Sequence, residues 1–105
     1  MSLPKKLVLL GATGSIGESS LRVIRKHSDK LQLIGISAFQ NGEKLAAIAQ
    51  EFGVQKAHLH QKPAKDLALP FGTKFSSGVQ SLLELASWDE ADIVLVAVVG
   101  ATGLA

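Results

Sequence analysis

Apolar residues along this chain follow two rhythms. Residues 6–10 (KLVLL), 31–37 (LQLIGIS) and 93–99 (IVLVAVV) are near-unbroken apolar runs. That is the pattern of short strands buried on both faces of a parallel sheet. Stretches of helical spacing lie between them. Residues 15–27 put Ile16, Leu21, Val23 and Ile24 on one broad face, and residues 43–52 do the same with Leu45, Ala46, Ile48, Ala49 and Phe52. Residues 79–87 (VQSLLELAS) predict a third helix. Ser28-Asp29-Lys30, Asn41-Gly42 and the acidic stretch 89–92 break the pattern where turns are needed. Gly53 suits the position just past the second helix, where left-handed backbone costs glycine nothing. The middle is weaker. Residues 55–60 (QKAHLH) read as a third strand and Phe75 as part of a brief one, with Pro63, Pro70 and Gly72 marking loops around a short helix at 64–68.

Strands alternating with helices imply βαβ units with right-handed crossovers. The expected fold class is α/β, a Rossmann-type parallel sheet flanked by helices, in one domain over residues 1–105. The Gly100-Ala101-Thr102-Gly103 turn follows the last strand at once, where the next helix is due. The chain therefore reads as a piece of a longer protein.

The most informative stretch is LVLLGATGSIGESSLRVI, residues 7–24. An apolar strand runs into Gly11, Gly14 and Gly17, and a helix follows. The first N–H groups of a helix lack internal partners, and its N-terminus carries partial positive charge, so such a turn can hold a diphosphate. Gly11 allows the tight turn after the strand, Gly14 lets the diphosphate touch the main chain, and Gly17 lets helix and strand pack closely. Thr13 and Ser15 add hydroxyls within reach of phosphate oxygens. No Gly-Lys-Ser/Thr follows, so this is not a Walker A loop. The expected ligand is a dinucleotide.

The end of the second strand tests which one. Sites specific for NAD place Asp or Glu there to bond the ribose 2′-hydroxyl. Here the residues are Ser37-Ala38-Phe39-Gln40-Asn41, with no carboxylate. A carboxylate would repel a 2′-phosphate, so its absence favours NADP. Ser37, Gln40 and Asn41 can donate hydrogen bonds, and Lys44 is the nearest cation in sequence.

Composition narrows the alternatives. Hydrophobic residues make up 47% and aromatics 5%, so the core is aliphatic. A net charge of +2, with no long basic run, gives no support to nucleic-acid binding. Cysteine is absent, which removes disulfides, thiolate nucleophiles and Cys-ligated metals. No apolar run reaches the roughly 20 residues of a membrane span, and MSLPKK is not a secretory signal. The expectation is a cytoplasmic protein.

At this level of detail LLGATGSIGESSLRVI resembles the opening of the 1-deoxy-D-xylulose 5-phosphate reductoisomerase family. The Thr-Gly-Ser-Ile-Gly core with its Ser-Leu-x-Val-Ile helix is distinctive, since many other Gly-Ala-Thr-Gly proteins continue differently. Phe39-Gln40-Asn41 occupies the place of the family's Gly-x-Asn turn, and VAVVGATGLA at 96–105 fits its Val-Gly-x-x-Gly-Leu turn. The likeness spans nearly the whole chain, with residues 53–80 matching in outline. It implies NADPH-dependent isomerisation and reduction of a ketose phosphate in non-mevalonate isoprenoid synthesis, with a divalent metal, magnesium or manganese, polarising the oxygens. It implies that Thr13, Gly14, Ser15 and Ile16 contact the diphosphate and that Phe39, Gln40 and Asn41 surround the 2′-phosphate. Ala97, Val98 and Gly100 would line the adenine-ribose side. It also implies a homodimer in full-length form, and metal carboxylates and sugar-phosphate ligands beyond residue 105. Two positions depart from the pattern: Phe39 stands where many members have glycine, and Gln40 where a cation is common.

Other chemistry is weaker. His58 and His60 alternate on the predicted strand, as a pair of metal ligands would, but beside Lys56 and Lys62 they read as solvated. Asp89, Glu90 and Asp92 read as a solubilising turn, Trp88 as packing, and Ser19-Ser20 as an outer helix face. A redox-sensor module that binds NAD(P), a short-chain dehydrogenase or epimerase, and an aspartate-semialdehyde-type dehydrogenase are the competing readings. Each differs from the reductoisomerase in residues that would lie downstream.

Overall fold

The computed structural model describes residues 3–61 and 67–97. Strands and helices follow one another as β1 (Lys5–Leu10), α1 (Ser15–Lys26), β2 (Leu31–Ala38), α2 (Gly42–Phe52), β3 (Lys56–Leu59), β4 (Lys74–Ser76), α3 (Val79–Ala86) and β5 (Ile93–Val96). The five strands form one parallel sheet in the order β4-β3-β2-β1-β5. The chain starts in the middle, steps outward to β4, and returns to the far side of β1. In such sheets the ligand crevice lies at the carboxyl ends of the strands where the order reverses, which here is beside β1.

Side chains along β1 alternate between two cores. Leu7 and Leu9 join Leu33, Ile36 and Ala38 of β2 and Ala57 and Leu59 of β3, under Leu21 and Ile24 of α1 and Leu45, Ile48 and Ala49 of α2. Val8 points the other way, into a smaller cluster with Ile34 and Leu85, flanked by Leu10, Trp88 and Ala91. A bulge in β2 makes both cores possible. Leu7 faces Leu33 but Val8 faces Gly35, so Ile34 is the extra residue. A Cβ on Gly35 would lie 3.0 Å from Leu85 Cδ1, which is why that position is bare.

The acidic turn before β5 clamps the start of β1. Asp92 Oδ2 accepts from the Lys6 backbone N–H at 2.8 Å, its own N–H donates to the Lys6 carbonyl, and Glu90 pairs with the Lys6 side chain. On the outer surface Arg25 donates to Glu51 Oε1 at 2.7 Å and lies over the Phe52 ring, tying α1 to α2.

Three expectations from the sequence differ from the structure. Ile16 and Val23 are 49% and 52% exposed, because α1 turns only Gly17, Leu21 and Ile24 to the sheet. The run 93–99 reads as a buried strand. Instead β5 is exposed along its length, because it is an edge of the sheet and no described helix covers it. His58 is not solvated: β4 makes β3 an inner strand, and His58 is only 1% exposed. The expected helix at 64–68 falls mainly outside the described residues, and Leu67 and Ala68 have no regular structure.

Candidate dinucleotide site

The turn after β1 is built by backbone bonds to β2. Gly11 adopts φ 89°, and its N–H and that of Ala12 both donate to the Ser37 carbonyl, at 2.9 and 2.8 Å. The Ser37 hydroxyl adds a third bond to the Gly11 N–H at 3.2 Å. The positive φ is why glycine stands at position 11, since other residues adopt it only with strain. From here α1 starts at Ser15, with Gly14 as its N-cap in extended conformation and no side chain capping it. The first-turn N–H groups of α1 are therefore not satisfied by a capping side chain.

Gly14 and Gly17 serve different ends. A Cβ on Gly17 would lie 2.6 Å from the Ala12 carbonyl oxygen and closer still to that of Gly11. Gly17 is thus the contact that lets α1 rest on the turn. A Cβ on Gly14 would meet no atom within 4 Å. Gly14 faces open space at the helix N-terminus, where an anion gains most from the unsatisfied N–H groups and the helix dipole. Thr13 is partly buried, and Ser15 and Ile16 are exposed beside that opening.

The neighbouring strand ends complete the crevice. Ala97 is buried, and its N–H donates to the Leu10 carbonyl at 2.8 Å, which sets the end of β5 beside the glycine turn. Val98 and Gly100 lie outside the described residues. Beyond β2, Phe39, Gln40 and Asn41 are all exposed. Asn41 takes left-handed backbone, φ 72°, and its Oδ1 accepts from the Lys44 N–H at 3.3 Å. Asn41 is therefore the N-cap of α2, and its Nδ2 is left as the group that can donate outward.

Two features escaped the sequence reading. Lys44 does not reach toward residues 39–41. Its Nζ donates to the Thr13 carbonyl at 3.1 Å and pairs with Glu18 of α1, whose carboxyl it holds below the usual carboxylate range by hydrogen bond and charge. The second is an aromatic stack. The Phe39 and His60 rings lie 5.1 Å apart and 18° from parallel. Both pairings join residues distant in sequence, so no local pattern signals them. Among the described residues no group of three or more His, Cys, Asp or Glu side chains could hold a metal ion. None of the described helices is long and apolar enough to cross a membrane.

The model of the family described as 1-deoxy-D-xylulose 5-phosphate reductoisomerase matches residues 7–105. The chain belongs to this family. A reductoisomerase of Listeria welshimeri is 39% identical over 103 residues, covering 95% of this chain and 27% of the relative. A solved reductoisomerase in complex with magnesium superposes with a TM-score of 0.82 at 35% identity, over 97% of this chain and 27% of its own. The Zymomonas mobilis reductoisomerase, solved in complex with NADPH, gives 0.77 at 30% identity, over 99% and 28%. The chain thus spans about a quarter of the length of the reductoisomerases it matches.

Proposed function

We propose that this chain is the NADPH-binding part of an enzyme that isomerises and reduces 1-deoxy-D-xylulose 5-phosphate to 2-C-methyl-D-erythritol 4-phosphate, in non-mevalonate isoprenoid biosynthesis. The observation that carries the reading is the open space at Gly14 above an uncapped helix N-terminus. It occurs in a chain whose family includes a member solved with NADPH.

In this reading Gly11, Thr13, Gly14, Ser15, Ile16 and Gly17 form the diphosphate cradle. Phe39, Gln40 and Asn41 surround the 2′-phosphate, and Ala97, with Val98 and Gly100, borders the adenine-ribose side. NADPH, when bound, supplies the hydride. This chain's own residues bind and orient the dinucleotide, and the catalytic groups come from the rest of the protein. The described residues do not fit the family's metal, magnesium or manganese, so its ligands are also assigned to the rest. The whole enzyme works in the cytoplasm as a homodimer, and this chain alone is inactive.

The test is a fluorescence titration with NADPH and with NADH. Binding of NADPH in preference to NADH is expected. Failure of both to bind refutes the reading.

A further inference from the structure

A 2′-phosphate needs a positive charge more than it needs neutral donors, because charge-assisted bonds are about twice as strong. The loop at the end of β2 supplies none: Phe39, Gln40 and Asn41 are all uncharged. Lys44, next along the chain, is committed elsewhere. Its ammonium is paired with Glu18 and bonded to the Thr13 carbonyl, so its charge is balanced and faces the diphosphate side of the crevice.

His60 stands where the charge is missing. Its backbone N–H donates to the Ala38 carbonyl at 2.8 Å, and the next N–H, of Gln61, donates to the Phe39 carbonyl at 2.9 Å. These bonds fix the residue after β3 beside the residues after β2. The imidazole then stacks on Phe39, which is 59% exposed. The ring is half-buried, and none of the described residues hydrogen-bonds its nitrogens. A planar group held by stacking, with its edge unbonded by any described residue, is oriented at little entropic cost when a ligand arrives.

We propose that His60 is the residue that recognises the 2′-phosphate, so that the preference for NADPH over NADH depends on its protonation. The inference rests on the NADPH reading above and adds a specificity residue to it. Histidine is the side chain that changes charge between about pH 5 and 8. Among the described residues the ionisable groups on neighbouring elements are few. His58 lies two residues back on β3; α2 opens with Glu43 and Lys44, the latter balanced by Glu18 of α1; β4 ends in Ser76, which does not ionise. The β2 loop contributes none.

The experiment measures NADPH and NADH dissociation constants by fluorescence titration at pH 6.5 and 8.5, for the wild-type protein, His60→Gln and His60→Lys. The 2′-phosphate itself gains a proton near pH 6, and His60→Gln isolates that contribution. The expected result is a stronger NADPH preference at pH 6.5 in the wild type. His60→Gln should weaken NADPH about tenfold there, in line with loss of one charge-assisted bond, and leave NADH unchanged. His60→Lys should keep the preference at both pH values, because lysine stays charged. Retained NADH binding in each variant reports an intact fold. A preference for NADPH that is flat with pH and unchanged in His60→Gln overturns this inference while leaving the dinucleotide site standing. Absence of binding by either dinucleotide in the wild type overturns both.

Discussion

Substituting Gly14 and Gly17 in turn separates ligand space from folding space. At Gly14 the backbone is ordinary extended chain, φ −84° and ψ 177°, and an added Cβ meets nothing within 4 Å. Gly14→Val restricts the unfolded chain, which stabilises by about 0.4–1 kcal/mol. It also gives up a good N-cap residue for a poor one, which costs a similar amount. The two nearly cancel, so the melting temperature should move by less than about 5 °C for a domain of this size. The valine methyls, however, would occupy the space above the first-turn N–H groups. Losing two charge-assisted hydrogen bonds to a diphosphate, at about 1.5–3 kcal/mol each, weakens binding by at least a hundredfold. Gly17→Ala is the converse. Its Cβ would sit 2.6 Å from the Ala12 carbonyl oxygen, and backbone cannot swing aside. Overpacking of this kind costs about 1–3 kcal/mol, which lowers the melting temperature by roughly 5–20 °C. Circular-dichroism melts and an NADPH titration on both variants provide the assay. NADPH binding at wild-type strength by Gly14→Val would refute the reasoning, because the open space would then not be where the diphosphate lies.

Burial holds the His58 pKa below its ordinary 6.5, aided by the nearby charge of His60. The unfolded chain therefore takes up the proton first, so stability is full above about pH 6.5 and drains as the pH falls toward the lower folded value. Melting temperature should fall between pH 7 and 5, and His58→Gln should flatten that slope; an unchanged slope would place the acid sensitivity elsewhere. Lys44→Ala should weaken NADPH roughly threefold at low salt by leaving Glu18 unpaired near the diphosphate, and the loss should shrink at 0.5 M salt as screening grows. Equal loss at both salts would count against an electrostatic role. Val96, 60% exposed on an edge strand, should promote self-association of this chain. Val96→Lys should reduce it in size-exclusion chromatography, and identical elution would argue that β5 is not the contact.

Much of this architecture was legible because its causes are local. The apolar runs at 6–10 and 31–37 and the helical spacing of 43–52 place β1, β2 and α2 within a residue or two of where they lie. The glycine spacing was legible for a steric reason: only a bare α-carbon tolerates the position of Gly17 against the turn. What local pattern could not convey was pairing across the sheet. His58 looks like an exposed strand residue until β4 covers its edge, and then Ser76 and Ser81 lie 3.1 and 3.3 Å from its Nδ1. Ile16 and Val23 fit an apolar face by spacing, yet α1 presents a narrower stripe because Gly17 brings the helix so near the turn. Lys44 was the nearest cation to the β2 loop by count, but Glu18, twenty-six residues back, determines where it points.

The triple hold of Ser37 on the glycine turn has a kinetic consequence. With Gly11 and Ala12 already fastened to β2, the turn has its shape before any ligand arrives. If the diphosphate binds here as proposed, the Gly11–Ala12 segment need not order during the encounter. Association should then show a single phase whose observed rate rises linearly with dinucleotide concentration, without the plateau that a slow prior opening imposes. Affinity differences among variants of this turn would be expressed mainly in how fast the dinucleotide leaves.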